Sequence, residues 1–264
     1  MVILITGITS GLGRAMAERL NACGHKVYGT YRKESDRIPG VTYLKADVRD
    51  DESVESAVRQ VMDNEGRIDV FINNAGMGVA GPLETTPIED SRMQMDVNFM
   101  GMVRFLNRVV PIMRQQRHGH IICVSSIGGL MGLPYQGMYS ASKFAIEGYC
   151  EALRLEVRQF GIHVTVINPG DFFTRFTAQR SKNISPETLN TYPGFAKSME
   201  GIESDERSGL QPDRLARRIC RIVGQKHPAN RYIVATPVQK ASVLLKTILP
   251  AKWYDRILAS YYNL

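Results

Sequence analysis

The chain has 264 residues, of which 44% are apolar and 22% charged, with 23 glycines; this composition fits a folded globular α/β protein and excludes a disordered, fibrous or disulfide-stapled one. The formal net charge is +7, but Arg104, Arg108, Arg114, Arg117, Arg217, Arg218 and Arg221 are scattered as a solvated helical face would have them, with no compact basic motif for a nucleic acid. Cys23, Cys123, Cys150 and Cys220 form no CxxC pair, and the five histidines do not join them at ligand spacing, so the expectation is reduced structural thiols, a cytoplasmic protein and no metal.

Residues 1–5 are apolar, yet no basic segment precedes them and the run stops at Thr6-Gly7. They are predicted as a buried strand rather than a signal peptide or a membrane span. Further short, β-branched runs follow at 26–31, 41–44, 70–72, 121–124 and 164–167, with a weaker one at 233–234. Helical patterns lie between them near 11–23, 51–65, 88–116, 139–160 and 212–224. The apolar runs are nearly continuous, as in parallel strands covered on both faces. Strand–helix alternation then predicts an α/β fold with a doubly wound parallel sheet, right-handed crossovers and a single domain over residues 1–264. Residues 171–211 are long and poorly periodic, and they follow a strand end. They read as a lid over a substrate, carrying Phe172, Phe173, Phe176, Tyr192 and Phe195. The segment 236–264 is rich in large apolar side chains, including Leu244, Ile248, Trp253, Ile257 and Tyr261. It could pack on the domain, on a second subunit, or against a lipid surface.

Thr6-Gly7-Ile8-Thr9-Ser10-Gly11-Leu12-Gly13 directly follows the first strand and opens a helix. Glycines there let the backbone turn sharply and approach a pyrophosphate, while the helix end supplies free N–H groups. The strand ending Gly29-Thr30-Tyr31-Arg32-Lys33 has no terminal carboxylate for a ribose 2′-hydroxyl. Two bases follow instead, which favour a 2′-phosphate. The expected cofactor is therefore NADP(H), anchored mainly by Arg32 with Lys33 or Ser10 in support. Asp47, followed by Val48, could accept from the adenine amino group, and a cap role is its ordinary alternative. The small residues of Asn73-Asn74-Ala75-Gly76 leave room for the cofactor.

Of eleven tyrosines, only Tyr139 has a lysine four residues later, Lys143. On a helix both share a face. A neighbouring ammonium stabilises a phenolate, so Lys143 is expected to lower the Tyr139 pKa and fit it for proton transfer. Lys143 can also hold the nicotinamide ribose. Ser126, at the predicted end of the fifth strand, can donate to a carbonyl oxygen as charge develops; Ser125 is the alternative, with spacing favouring Ser126. Asn98 could orient a water in a proton relay to Lys143, or merely bend its helix.

These residues, in this order, resemble the short-chain dehydrogenase/reductase family over roughly residues 1–170. The resemblance implies a Rossmann-type domain, Asn-Ser-Tyr-Lys catalysis, and a homodimer or homotetramer. It also implies that Pro169-Gly170 meets the nicotinamide side of the pocket and that Thr174 bonds the carboxamide, with the intervening Asp171-Phe172-Phe173 leaving that placement open. The glycine loop, the 29–33 stretch and the long lid resemble the branch acting on hydroxysteroids, retinoids and ketosphingoid lipids. The expected activity is hydride transfer between a ketone and a secondary alcohol, on a bulky apolar small molecule. The alternatives are reduction of a small polar carbonyl compound, and a nucleotide-binding regulator without turnover. The presence of all of Ser126, Tyr139 and Lys143 argues against the regulator. An epimerase or dehydratase of the extended relatives is disfavoured by the compact length.

Overall fold

A computed structural model describes residues 1–182 and 185–264. Its strands are β1 (Val2–Ile5), β2 (Lys26–Tyr31), β3 (Thr42–Lys45), β4 (Val70–Asn73), β5 (Val79–Ala80), β6 (Gly119–Val124), β7 (Ile162–Pro169), β8 (Ser181–Lys182) and β9 (Arg231–Val234). Seven of them form one sheet in the order β3-β2-β1-β4-β6-β7-β9, and every neighbouring pair is parallel. The predicted strands all form, with ends moved by one or two residues, and the weak run at 233–234 becomes the edge strand β9.

The helices of the main layers are α1 (Gly11–Ala22), α2 (Asp51–Glu65), α3 (Ile88–Met95), α4 (Gly101–Gln116) and α5 (Gly137–Val157). In the lid lie α6 (Phe176–Gln179), α7 (Pro186–Thr191) and α8 (Phe195–Arg207). They are followed by α9 (Pro212–Val223), α10 (Pro237–Ile248) and α11 (Ala251–Tyr261). Among the described residues, no helix is long and apolar enough to cross a membrane.

Successive strand residues point to opposite faces, and the core divides accordingly. Leu4, Phe71, Ile121 and Val164 pack with Val58, Phe105 and Ile146 of α2, α4 and α5. Ile3, Ile5, Ile72 and Ile167 pack with Met16 and Leu20 of α1 and Leu215 and Ile219 of α9 on the other face. Burial on both faces explains why the runs read as continuous rather than alternating.

Two expectations change. The predicted helix at 88–116 is interrupted at Asp96–Met100 by one wide π turn, with Asn98 fully buried inside it. The expectation that all four cysteines are reduced also changes: Cys23, at the end of α1, and Cys220, on α9, are brought together as a candidate disulfide pair, with Cα atoms 7.3 Å apart. They lie 197 residues apart in sequence, so only the packing of α1 on α9 brings them together. Cys123 and Cys150 remain free and buried.

The strand order reverses between β1 and β4. Chains leaving these two strands diverge at their carboxyl ends and open a crevice there, the general ligand position in such sheets.

Candidate active site

The loop after β1 is held by its own side chains. Thr6 Oγ1 accepts from the backbone N–H groups of Asn74 and Ala75, at 2.9 and 3.0 Å. Asn74 Nδ2 returns bonds to the carbonyl oxygens of Thr6 and Gly7, at 2.9 and 3.0 Å. The ends of β1 and β4 are thus stitched together. Gly7 has φ +73°, a left-handed conformation that glycine adopts without strain. A Cβ on Gly13 would overlap the Gly7 carbonyl oxygen and stand 2.5 Å from Asn74 Nδ2, so the helix starts hard against the loop. Ser10 caps α1 with extended backbone, but its side chain makes no capping bond. The first-turn N–H groups are therefore left for a ligand. Thr9, Ser10, Gly11 and Leu12 line the resulting cavity. Thr174 reaches the same loop, since a Cβ on Gly11 would lie 3.4 Å from its Cβ.

Farther along the cavity, Arg32, Lys33, Asp47, Val48, Ala75 and Gly76 line the wall. Arg32 and Lys33 are exposed. Nearby, the Ser35 hydroxyl is buried with no hydrogen-bond partner among the described residues. Asp47 is engaged at both oxygens by the Arg49 guanidinium, at 2.6–3.2 Å, and these bonds hold its carboxyl below the usual range. Sequence reading did not foresee this partner, which comes from only two residues away.

Ser126 and Ser125 follow β6, and the structure separates them. Ser125 Oγ turns toward the Lys143 carbonyl, at 3.4 Å. Ser126 Oγ accepts from Gly128 N at 3.0 Å, and Gly128 also brings it near Tyr139, since a Cβ there would lie 3.4 Å from Ser126 Oγ and 3.3 Å from the Tyr139 ring. Asn168 on β7 donates to the Ser126 carbonyl at 2.9 Å and to Glu147 at 2.6 Å, and Glu147 is paired with Arg231 on β9 at 2.7 Å. Sequence reading missed this buried brace. The three members lie on β7, α5 and β9, far apart in sequence, and only the fold joins them.

Tyr139 and Lys143 lie on one face of α5, with Lys143 Nζ 5.7 Å from the phenol ring centroid. Lys143 is buried and donates to the Val124 carbonyl at 3.0 Å. Burial lowers its pKa to about 8. Burial also raises the Tyr139 pKa, opposed by the contact with Ser126 and by Arg180. The expected lowering of the tyrosine by Lys143 is not what dominates here: desolvation is the largest influence on the phenol, and its direction is upward. Asn98 sits beside Gly76 and Lys143. Its amide donates to the Met77 carbonyl and to Ser142 Oγ, both at 3.0 Å, and its oxygen accepts from Met77 N at 2.8 Å.

Pro169 ends β7 and Gly170 follows it, both at the cavity wall. Beyond them the lid residues take different places. Phe176 lines the cavity with its ring 5.8 Å from that of Tyr139. Phe172 is buried in the main core, and Phe173 is exposed. Phe195 and Tyr192 belong to a separate small core with Tyr262 of the C-terminal segment. That segment folds back: Tyr261 donates to Asp205 at 2.5 Å, and Leu245, Tyr254, Ile257 and Leu258 line the cavity. Asp171, which sequence reading passed over, also faces the cavity. Burial and its neighbours Glu206 and Asp205 raise its pKa to about 6, and Gln239 of α10 donates to it at 2.6 Å. The whole cavity is about 1060 Å³.

Comparison with known proteins matches this arrangement. The family model for short chain dehydrogenases matches residues 1–185. A 3-ketodihydrosphingosine reductase of Bacteroides thetaiotaomicron is 46% identical over 262 residues, covering 99% of this chain and 97% of the relative. The 17-beta-hydroxysteroid dehydrogenase type 1 of Homo sapiens is 41% identical, covering 88% of this chain and 76% of the relative. The crystal structure of a short-chain dehydrogenase from Streptomyces avermitilis superposes with a TM-score of 0.80 at 26% identity, covering 97% of this chain and 96% of that one. The chain belongs to the short-chain dehydrogenase family and is an oxidoreductase of the ketone/alcohol type.

Proposed function

We propose that the protein is an NADP(H)-dependent reductase of a bulky apolar ketone, with a long-chain lipid ketone favoured. The observation that carries the reading is the convergence of Ser126, Tyr139 and Lys143 on one cavity with the glycine loop. The site fits a dinucleotide. Gly13 leaves no space that a side chain could take, Gly7 has a left-handed backbone, α1 begins uncapped, and the Ser35 hydroxyl is orphaned beside Arg32 and Lys33. Gly7, Thr9, Ser10, Gly11, Leu12 and Gly13 would hold the pyrophosphate. Asp47 and Val48 would flank the adenine; Asn74, Ala75, Gly76, Pro169, Gly170 and Thr174 would flank the nicotinamide half.

A bound reduced nicotinamide supplies the hydride. The chain's own residues do the rest. Ser126 donates to the ketone oxygen, and Tyr139 delivers its phenolic proton there as the carbonyl carbon is reduced, giving the secondary alcohol. The raised Tyr139 pKa suits this direction, since the phenol is the proton-bearing form at neutral pH. The phenolate left behind is stabilised by the Lys143 ammonium, which can also hold the ribose. Asn98 commits its amide to the Met77 loop and Ser142; one lone pair of Oδ1 is left over to take a water that resupplies the proton.

The large cavity and its apolar lining of Met131, Leu133, Phe176, Leu245, Ile257 and Leu258 support the bulky substrate. The similarity to a 3-ketodihydrosphingosine reductase supports a long-chain ketone. The cofactor choice is tested by titrating the protein with NADPH and with NADH, following reduced-nicotinamide fluorescence. We expect tighter binding of NADPH, and in Arg32→Ala a loss of about tenfold for NADPH with little change for NADH. Preference for NADH in the unmodified protein would contradict the role of Arg32.

A further inference from the structure

The helices α10 and α11 carry apolar side chains that nothing in the fold covers. Leu244 and Ile248 are four residues apart on α10 and are 60% and 64% exposed. Trp253, Ile257 and Tyr261 repeat at the same spacing on α11, and Trp253 is 64% exposed. Residues four apart share one face of a helix, so each helix shows water an apolar stripe. Scattered apolar residues need no explanation, but continuous stripes do.

The stripes run into the cavity. Val238, Ile257 and Tyr261 are exposed and also line it, as do Ala241 and Leu245 beside them. The hairpin is thus one rim of the opening through which a substrate reaches Tyr139. Its charge is mostly positive. Lys240, Lys246, Lys252 and Arg256 face a single acid, Asp255, between residues 237 and 264. Lys240, Lys252 and Arg256 are exposed and make no ion pair among the described residues. Lys246 lies over the Phe144 ring, 5.3 Å from its centroid.

We propose that the α10–α11 hairpin docks the protein on the surface of an anionic phospholipid bilayer, placing the cavity mouth against the membrane. Large apolar side chains flanked by lysines and arginines are the chemistry of helices that lie in the interface plane. Long basic side chains can reach the headgroups while their stems stay with the apolar stripe. A second copy of the chain fits less well, because a two-fold contact would lay this cationic face on itself. The inference gains its purpose from the proposed lipid ketone, which would enter from the bilayer. Its test uses no substrate and no nucleotide, so it can fail while the reductase reading stands.

Trp253 is the sole tryptophan of the chain, so its fluorescence reports on this surface alone. The full-length protein is mixed with vesicles of phosphatidylcholine plus phosphatidylglycerol, and separately with pure phosphatidylcholine. The expected result is a blue shift of Trp253 emission with the anionic vesicles, quenching by lipids brominated in the acyl chains, and co-sedimentation that weakens as salt is raised. Leu244→Glu with Ile248→Glu should reduce anionic-vesicle affinity by about tenfold or more. Neither residue lines the cavity, so NADPH titration of that variant should match the unmodified protein and show that it folds. Three results would overturn the proposal: no emission change with anionic vesicles, equal binding to neutral ones, or a blue shift that tracks protein concentration without lipid. The last would assign the face to a second copy.

Discussion

Replacing Tyr139 with phenylalanine should reduce turnover by about 10²- to 10⁴-fold, the range carried by a positioned proton donor, while leaving NADPH affinity and thermal unfolding close to those of the unmodified protein. The substitution removes one oxygen. Tyr139 lines the cavity, and the ring keeps its packing against Phe176. The fold therefore loses little and the reaction loses its acid. Steady-state turnover, nucleotide titration and a melting curve on the same preparation separate these effects. A phenylalanine variant within a few-fold of full activity would remove Tyr139 from the mechanism. The raised tyrosine pKa adds a sign: alcohol oxidation needs the phenolate, so its rate should climb with pH through the alkaline range, while ketone reduction should not.

Gly13→Ala should abolish measurable nucleotide binding, a loss of about 100-fold or more, and lower stability by about 1–3 kcal/mol, as overpacking does. The added carbon has nowhere to go. It meets the Gly7 carbonyl and the Asn74 amide, which is itself bonded to Thr6 and Gly7. Relief requires moving the loop that presents N–H groups to the pyrophosphate. Gly148→Ala, on the same chain but with nothing within 4 Å of the new carbon, is the control. It should bind NADPH normally and melt no lower, since alanine is the better helix former. NADPH titration and melting curves of both variants decide the matter. Normal binding by Gly13→Ala would mean that the loop does not cradle the cofactor.

The sheet was legible because its physics is local. Parallel strands buried on both faces leave nearly continuous apolar runs, and residues 2–5, 26–31 and 164–167 show them. The spacing of Tyr139 and Lys143 was legible for the same reason, since four residues on a helix define one face. What failed to show depends on distant partners. Cys23 and Cys220 meet because α1 packs on α9. The Asn168–Glu147–Arg231 brace joins β7, α5 and β9 behind Ser126. Asp171 looked like an interruption of the path to Thr174, and its significance comes from burial beside Glu206 and Asp205. The lid aromatics were read as a set, yet Phe176 alone of the five packs its ring against Tyr139, while Phe195 and Tyr192 hold a small core together. Composition does not distinguish a ring that touches substrate from one that supports the wall. The pKa of Tyr139 is a further case, because helical spacing places the lysine but says nothing of how deeply the phenol is desolvated.

The central claim is reduction of a bulky apolar ketone with NADPH, and its most direct test is NADPH consumption with a panel of dispersed substrates. The panel should hold a 3-keto sphingoid base, a ketosteroid and several small polar ketones, with the alcohol product quantified. The account predicts fastest turnover of the long-chain ketone, with one alcohol formed for each NADPH oxidised. Turnover confined to the small polar ketones, or NADPH binding with no turnover of any member, would contradict it.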